Sequence, residues 1–139
     1  MLRTVTALIM TISLMQAYEL NAQVSEFMNE LLSEAKKQNP TLKEFDYARG
    51  EKIFTTQSVG KKGKKISCVT CHTQDLSKNG LNENTNKVIE PLSPSTNPKR
   101  FSDVKEVKKW LRRNFQDVYN REGTAQEQGD VVTYIINKK

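Results

Sequence analysis

The stretch "SCVTCHTQ", residues 67–74, contains Cys68, Cys71 and His72, which are both cysteines and the only histidine of the chain. Cys-x-x-Cys-His is the attachment signature of c-type haem. The spacing has a mechanical reason. Two thiols three residues apart on one helical turn reach the vinyl groups of adjacent pyrrole rings and form thioethers there. The next residue, the imidazole, then lies under the iron and binds it. Its second ring nitrogen needs an acceptor to fix the tautomer, and a backbone carbonyl at Pro91–Leu92 is the expected one.

Other uses of the same residues fit less well. A structural zinc site takes about four Cys or His ligands, and this chain has three such residues in all. A redox-active Cys-x-x-Cys pair belongs in a strand-to-helix context that the flanking residues lack. The reading is therefore haem c, one group, attached through Cys68 and Cys71 with His72 as an axial ligand.

The start of the chain agrees with attachment outside the cytoplasm. Arg3 precedes the uncharged, mostly apolar run "VTALIMTISLM" at 5–15, and Leu20-Asn21-Ala22 ends in a small residue. This predicts a signal peptide over 1–22, cleaved after Ala22, and export to the periplasm. An uncleaved anchor is the alternative, disfavoured because the run is short for a membrane-spanning helix. Residues 23–139 then form one monohaem cytochrome c domain that does not span the membrane. Its size allows a single modest core. Loss of Arg3 and Glu19 leaves the charge of the whole chain, +6, unchanged. The positive residues are scattered and no nucleic-acid motif accompanies them, so nucleic acid is not the expected partner.

Around the attachment stretch the periodicity is helical. Val24, Phe27, Met28, Leu31, Leu32 and Ala35 share one face of a first helix, which Asn39-Pro40 ends. A second runs from Asp46 to about Gln57. A third, capped by Ser102, covers Asp103–Tyr119 with Val107, Trp110, Leu111, Phe115 and Val118 on its stripe. The last, Thr124–Asn137, opens with the capping box Thr124-Ala125-Gln126-Glu127. Residues 58–67 read as a mobile Gly- and Lys-rich loop, a solvated charged segment in preference to a basic docking patch beside the cysteines. Residues 73–101, with Pro91, Pro94 and Pro98, read as a long irregular loop that needs a body to enclose. No strand is convincing. The expected fold is all-α, with four to five helices around one covalently attached haem. Gly50 and Phe54 in the early helix, with Tyr134 in the last, resemble the crossing of terminal helices in class I cytochromes c.

The other side of the iron is unusual. The four methionines, Met1, Met10, Met15 and Met28, all precede His72, and no second histidine exists. Met28 reaches the iron only if the first helix folds across the distal face. Asn114 is a neutral polar residue set into the apolar stripe of the third helix. Spacing leaves it open between an iron ligand and an amide bonded to backbone or water. Lys108, Lys109, Tyr119 and an open position are further alternatives. Apart from Met28, each leaves the iron without a strong sulfur or imidazole ligand on that side, so small molecules can compete for it.

The blocks "GEKIF" (50–54), "SCVTCHT" (67–73), "TNKVIEPLSP" (85–94) and "NPKRFSDVKEVKKWLRRNFQDVYNREGTAQEQGDVVTYI" (97–135) resemble the DUF1924 cytochromes, the sphaeroides haem protein-like monohaem cytochromes c. The resemblance implies a class I-like fold, His72 proximal and Asn114 distal. It implies an asparagine that leaves the iron on reduction and opens a site for oxygen or nitric oxide. It implies a dihaem cytochrome c or a membrane cytochrome b as redox partner. Relatives commonly carry a cysteine after that asparagine and another in the following loop, joined as a disulfide. Here Phe115 and Gly123 stand at those positions. Asn86 replaces a common glycine, a mild change because Asn tolerates left-handed turns.

Two functions follow. One is an exported electron carrier with a basic surface suited to acidic partners. The other is a haem protein that reacts with oxygen or nitric oxide. The residues favour electron transfer with an iron open to O2, NO or CO. No general acid or other catalytic group is assigned. Leu92, Trp110, Leu111 and Phe115 join Pro91, Gly50, Phe54 and Tyr134 as expected packing around the haem.

Overall fold

The structure, a computed structural model, describes residues 18–138. The expected leader lies outside the described residues, apart from 18–22. In chain order the elements are α1 (Ala22–Gln38), α2 (Tyr47–Thr55), β1 (Ser58–Val59), β2 (Lys65–Ile66), α3 (Cys68–His72), β3 (Gly80–Leu81), β4 (Val88–Ile89), α4 (Val104–Tyr119) and α5 (Ala125–Asn137). The class is all-α, with five helices and two minimal hairpins.

Each long helix starts on a side chain that accepts an otherwise unpaired backbone N–H. Asn21 accepts from Val24 at the head of α1, and Asp46 from Arg49 at the head of α2. For α4 the cap is Asp103, which accepts from Lys105 at 2.8 Å. The expected cap, Ser102, instead donates its hydroxyl to the Lys99 carbonyl at 2.6 Å. The carboxylate one position later sits within reach of the N–H groups, so it takes the role. The capping box of α5 forms as read. The Thr124 N–H donates to Glu127 and the Glu127 N–H to the Thr124 hydroxyl, while Arg121 grips the Glu127 carboxylate with two bonds of 2.7 Å.

The 58–67 segment is not a plain loop. β1 and β2 pair antiparallel, Ser58 with Ile66 and Val59 with Lys65, and Lys61 N–H donates to the Asp117 carbonyl of α4 at 3.0 Å. Within 73–101, β3 pairs with β4, Gly80 with Ile89 and Leu81 with Val88. Strands of two residues carry no readable alternation, which is why the sequence hid them. Asn86 turns this second hairpin with φ 55°, in the left-handed region.

The fold turns on the crossing of α2 over α5. A Cβ at Gly50 would lie 2.0 Å from the Asp130 carbonyl oxygen and 2.8 Å from the Tyr134 Cβ. Only glycine lets the backbones approach this closely. Beside the contact, the buried Asp130 carboxylate accepts from the Asp46 N–H at 2.7 Å and from Arg49 at 2.8 and 3.0 Å. The buried Tyr134 ring packs on Phe54, centroids 5.2 Å apart, and on Tyr47 at 5.1 Å. α1 adds Val24, Phe27, Leu31 and Ala35 to the same core, and its stripe follows the expected spacing.

Candidate haem site

α3 is the CVTCH turn itself. Ser67 precedes it, and its N–H donates to the Thr70 hydroxyl at 2.9 Å. The turn ends at Thr73, which has φ 64°. It is also wedged from behind, because a Cβ at Gly80 would lie 2.0 Å from the Cys71 carbonyl oxygen and 3.1 Å from the His72 Cα. Gly80 thus seats the second hairpin against the turn. The sequence reading missed it, because a glycine in a polar loop signals only a bend.

In front of the turn is a cavity of about 250 Å³. α3 contributes Cys68 and His72, α2 contributes Phe54, and the 90–102 segment contributes Leu92, Arg100 and Phe101. α4 presents Trp110, Leu111, Asn114 and Phe115 as one wall, and Val131 and Ile135 of α5 close the side. The structure therefore brings together eight of the residues singled out in the sequence. Four others do not line the cavity. Gly50 and Tyr134 lie behind Phe54 at the helix crossing, Cys71 faces a separate depression beside the first hairpin, and Pro91 acts through its carbonyl.

That carbonyl departs from expectation. The buried Nδ1 of His72 has no hydrogen-bond partner among the described residues. The Pro91 oxygen instead accepts from Arg100 Nε at 2.8 Å and Asn97 Nδ2 at 3.3 Å, and Arg100 also reaches the Glu90 carbonyl at 2.6 Å. Arg100, a second residue missed in the sequence, fastens the loop in this way. Its only sequence signal was its position in the "NPKRF" block. Its charge also acts on the imidazole. Burial first, and Arg100 second, push the His72 pKa down to about 4. His72 is therefore neutral near pH 7, with a lone pair that no described side chain claims.

Burial pushes the Cys68 thiol up to about 12. A reactive dithiol needs a depressed thiol pKa, so the redox-pair reading loses further ground. A thioether fits here, because it removes an ionisable group from an apolar wall. The residues thus fit a haem. A neutral imidazole with an orphaned nitrogen and the thiol of the half-buried Cys68 face an apolar cavity, with the Phe54 ring centroid 6.1 Å from that of the imidazole.

Of the distal candidates, Asn114 is the one that lines the cavity, and its amide makes no hydrogen bond among the described residues. The other candidates are engaged elsewhere. Lys108 pairs with Glu30 and lies over Phe27, and Lys109 pairs with Glu106. Tyr119 donates to the Ile53 carbonyl. Met28 packs against the core and does not line the cavity. Trp110 is anchored at the cavity by its indole N–H, 3.0 Å from Glu106.

A family model described as "Domain of unknown function (DUF1924)" matches residues 40–135. The cytochrome c-type protein SHP of Cereibacter sphaeroides is 39% identical over 90 residues, covering 65% of this chain and 69% of that protein. The cytochrome c'' of Methylophilus methylotrophus is 27% identical over 100 residues, covering 72% and 69%. The crystal structure of oxidised cytochrome c'' superposes with TM-score 0.74 at 24% identity, over 83% of this chain and 94% of that one. Oxidised SHP, described as an oxygen-binding cytochrome c, superposes with TM-score 0.69 at 32% identity, over 80% and 93%. The fold, the site and these relatives converge, and the chain belongs to the DUF1924 family as a c-type cytochrome whose cofactor is haem c.

Proposed function

We propose that the protein is an exported electron carrier with one haem, attached through thioethers to Cys68 and Cys71. His72 holds the iron on one side and Asn114 holds it weakly on the other. The haem supplies a one-electron couple and, where the distal ligand yields, a place for O2, NO or CO. The chain's own residues do the rest. α3 presents the two sulfurs and the imidazole from one turn. Phe54, Leu111, Phe115, Val131 and Ile135 exclude water. Arg100 keeps the loop folded over the site.

One observation carries the reading. Asn114 lines the same cavity as Cys68 and His72, whereas Met28, the one methionine among the described residues, does not, and the chain has no second histidine. An amide oxygen is a weak ligand for haem iron, so displacement by a diatomic molecule costs little. The relative described as oxygen-binding supports this side of the proposal. Export rests on the leader read at 1–22, with cleavage after Ala22. A dihaem cytochrome c or a membrane cytochrome b as redox partner rests on the family resemblance. No helix among the described residues is long and apolar enough to cross a membrane.

Visible spectra of the ferric and ferrous holoprotein, with and without carbon monoxide, test the reading. The ferrous form should bind carbon monoxide, and Asn114→Ala should change the ferric spectrum. A ferrous spectrum indifferent to carbon monoxide, together with an unchanged variant, would remove Asn114 and the open position from the account.

A further inference from the structure

The cavity in front of the CVTCH turn meets solvent along one edge. Its exposed lining residues, Lys99, Ser102, Asp103, Glu106 and Trp110, all fall within 99–110. Trp110 is the one apolar side chain of that rim, and it is 44% exposed. The rest of the apolar wall is fixed by contrast. Phe54, Leu111, Phe115, Val131 and Ile135 are all buried, and close packing leaves such side chains little room to turn. The Trp110 ring has that room. It is held from its own helix, with its N–H donating to Glu106 Oε2 at 3.0 Å one turn back. Lys109 Nζ and Arg113 Cζ lie 5.2 and 5.5 Å from the ring centroid. No aromatic ring stacks on it among the described residues.

Glu106 is itself exposed and pairs with Lys109. Water competes for exposed partners of this kind, so the hold on the indole is weak. An exposed side chain also changes rotamer fast, on a timescale of about nanoseconds or less. Glu106, Trp110 and Asn114 follow at intervals of four along α4 and line the same wall, from the rim inward. We propose that Trp110 is an access gate to the position that Asn114 faces. Latched on Glu106, the ring narrows the route from the rim, and swung outward it admits a diatomic molecule. This rests on the reading of an iron that O2, NO or CO can reach beside Asn114. A gate adds a barrier without touching the bound molecule. Its removal therefore speeds entry and exit by the same factor and leaves the affinity unchanged.

Laser photolysis of the ferrous carbon monoxide complex gives the association rate, and displacement of carbon monoxide by nitric oxide gives the dissociation rate. Trp110→Ala should raise both together by about tenfold, with Kd unchanged. Trp110→Phe keeps a ring but loses the latch, and should fall between, which guards against a folding artefact. Glu106→Gln keeps the ring and weakens the latch by removing its charge, and should raise both rates by about twofold. Unchanged rates in Trp110→Ala would overturn the gate. So would an altered Kd at a fixed association rate, which would make Trp110 a contact of the bound molecule. The same measurements in an Asn114→Ala background, where the position is open whether or not the amide binds iron, separate this proposal from the reading beneath it. If the wild type binds no carbon monoxide but Asn114→Ala with Trp110→Ala outpaces Asn114→Ala alone in both directions, the weak-ligand reading fails and the gate stands. Equal rates in those two variants would overturn the gate.

Discussion

The ring of Phe115 covers Gly123, and a Cβ built at Gly123 would lie 2.8 Å from each of Cδ2, Cε2 and Cζ of that ring. Family resemblance puts a disulfide at these two positions in relatives. Here a buried ring on a bare backbone holds α4 to the loop before α5, without a covalent bond. Phe115 also lines the cavity next to Asn114, so this contact supports the α4 wall of the cavity.

The pair should behave as a unit. Gly123→Ala is expected to destabilise the holoprotein by about 1–3 kcal/mol through overpacking. In a Phe115→Leu background, whose smaller side chain leaves room, the same change should cost at least about 1 kcal/mol less. Denaturant titration of the four proteins measures the coupling. Additive costs would mean that the ring does not press on Gly123.

Gly50 should tolerate nothing larger. Its missing Cβ stands 2.0 Å from backbone oxygen, which cannot rotate away. Gly50→Ala must therefore part α2 from α5, and a loss of about 3 kcal/mol or more is expected, at the upper end of overpacking costs. A thermal melt checks it, and a variant within a degree of wild type would contradict the crossing.

Arg100 holds two carbonyls at once, those of Glu90 and Pro91. A lysine is a point donor and cannot reproduce that fork. Arg100→Lys should therefore fail to rescue the loop, with both Arg100→Lys and Arg100→Ala losing about 1–3 kcal/mol. Faster amide exchange at Ser93 and Asn97 should accompany the loss. Full protection in the lysine variant would show that charge alone suffices.

Arg121 beside it, more than its burial, determines the titration of Glu127 and holds its carboxyl below the usual glutamate range. The unfolded chain then binds the proton more readily, so stability rises with pH across that interval. The contribution is complete above the unfolded pKa of about 4.3. It fades as pH falls through the lower folded value. Glu127→Gln should flatten the acid limb of the stability profile and weaken the α5 cap by about 1 kcal/mol near pH 7. An acid limb of unchanged slope would exclude this carboxylate as its source.

Asn21 caps α1 and also donates to the Phe101 and Ser102 carbonyls at 3.1 and 2.9 Å. Cleavage after Ala22 would remove it. A holoprotein beginning at Tyr18 should therefore be about 1 kcal/mol more stable than one beginning at Gln23. Equal stabilities would mean that water caps the helix as well as Asn21 does, and intact mass of the protein isolated from cells shows whether cleavage after Ala22 occurs.

The sequence by itself determined what depends on neighbours a few positions away. The CVTCH turn, the stripes of α1 and α4, and the Thr124–Glu127 box were legible because helices repeat within one turn and caps act over three residues. Ser102 gave way to Asp103 by a single position, within the reach of the same local signal. Tertiary structure alone decided which distant residues meet. It placed Gly80 behind Cys71, turned Arg100 onto the carbonyl expected for His72, and folded the lysine segment into a hairpin against α4. It also left Asn114, among the distal candidates, facing the cavity. Close approach and competition for a hydrogen bond are set by packing between segments far apart in the chain, and no local pattern records them.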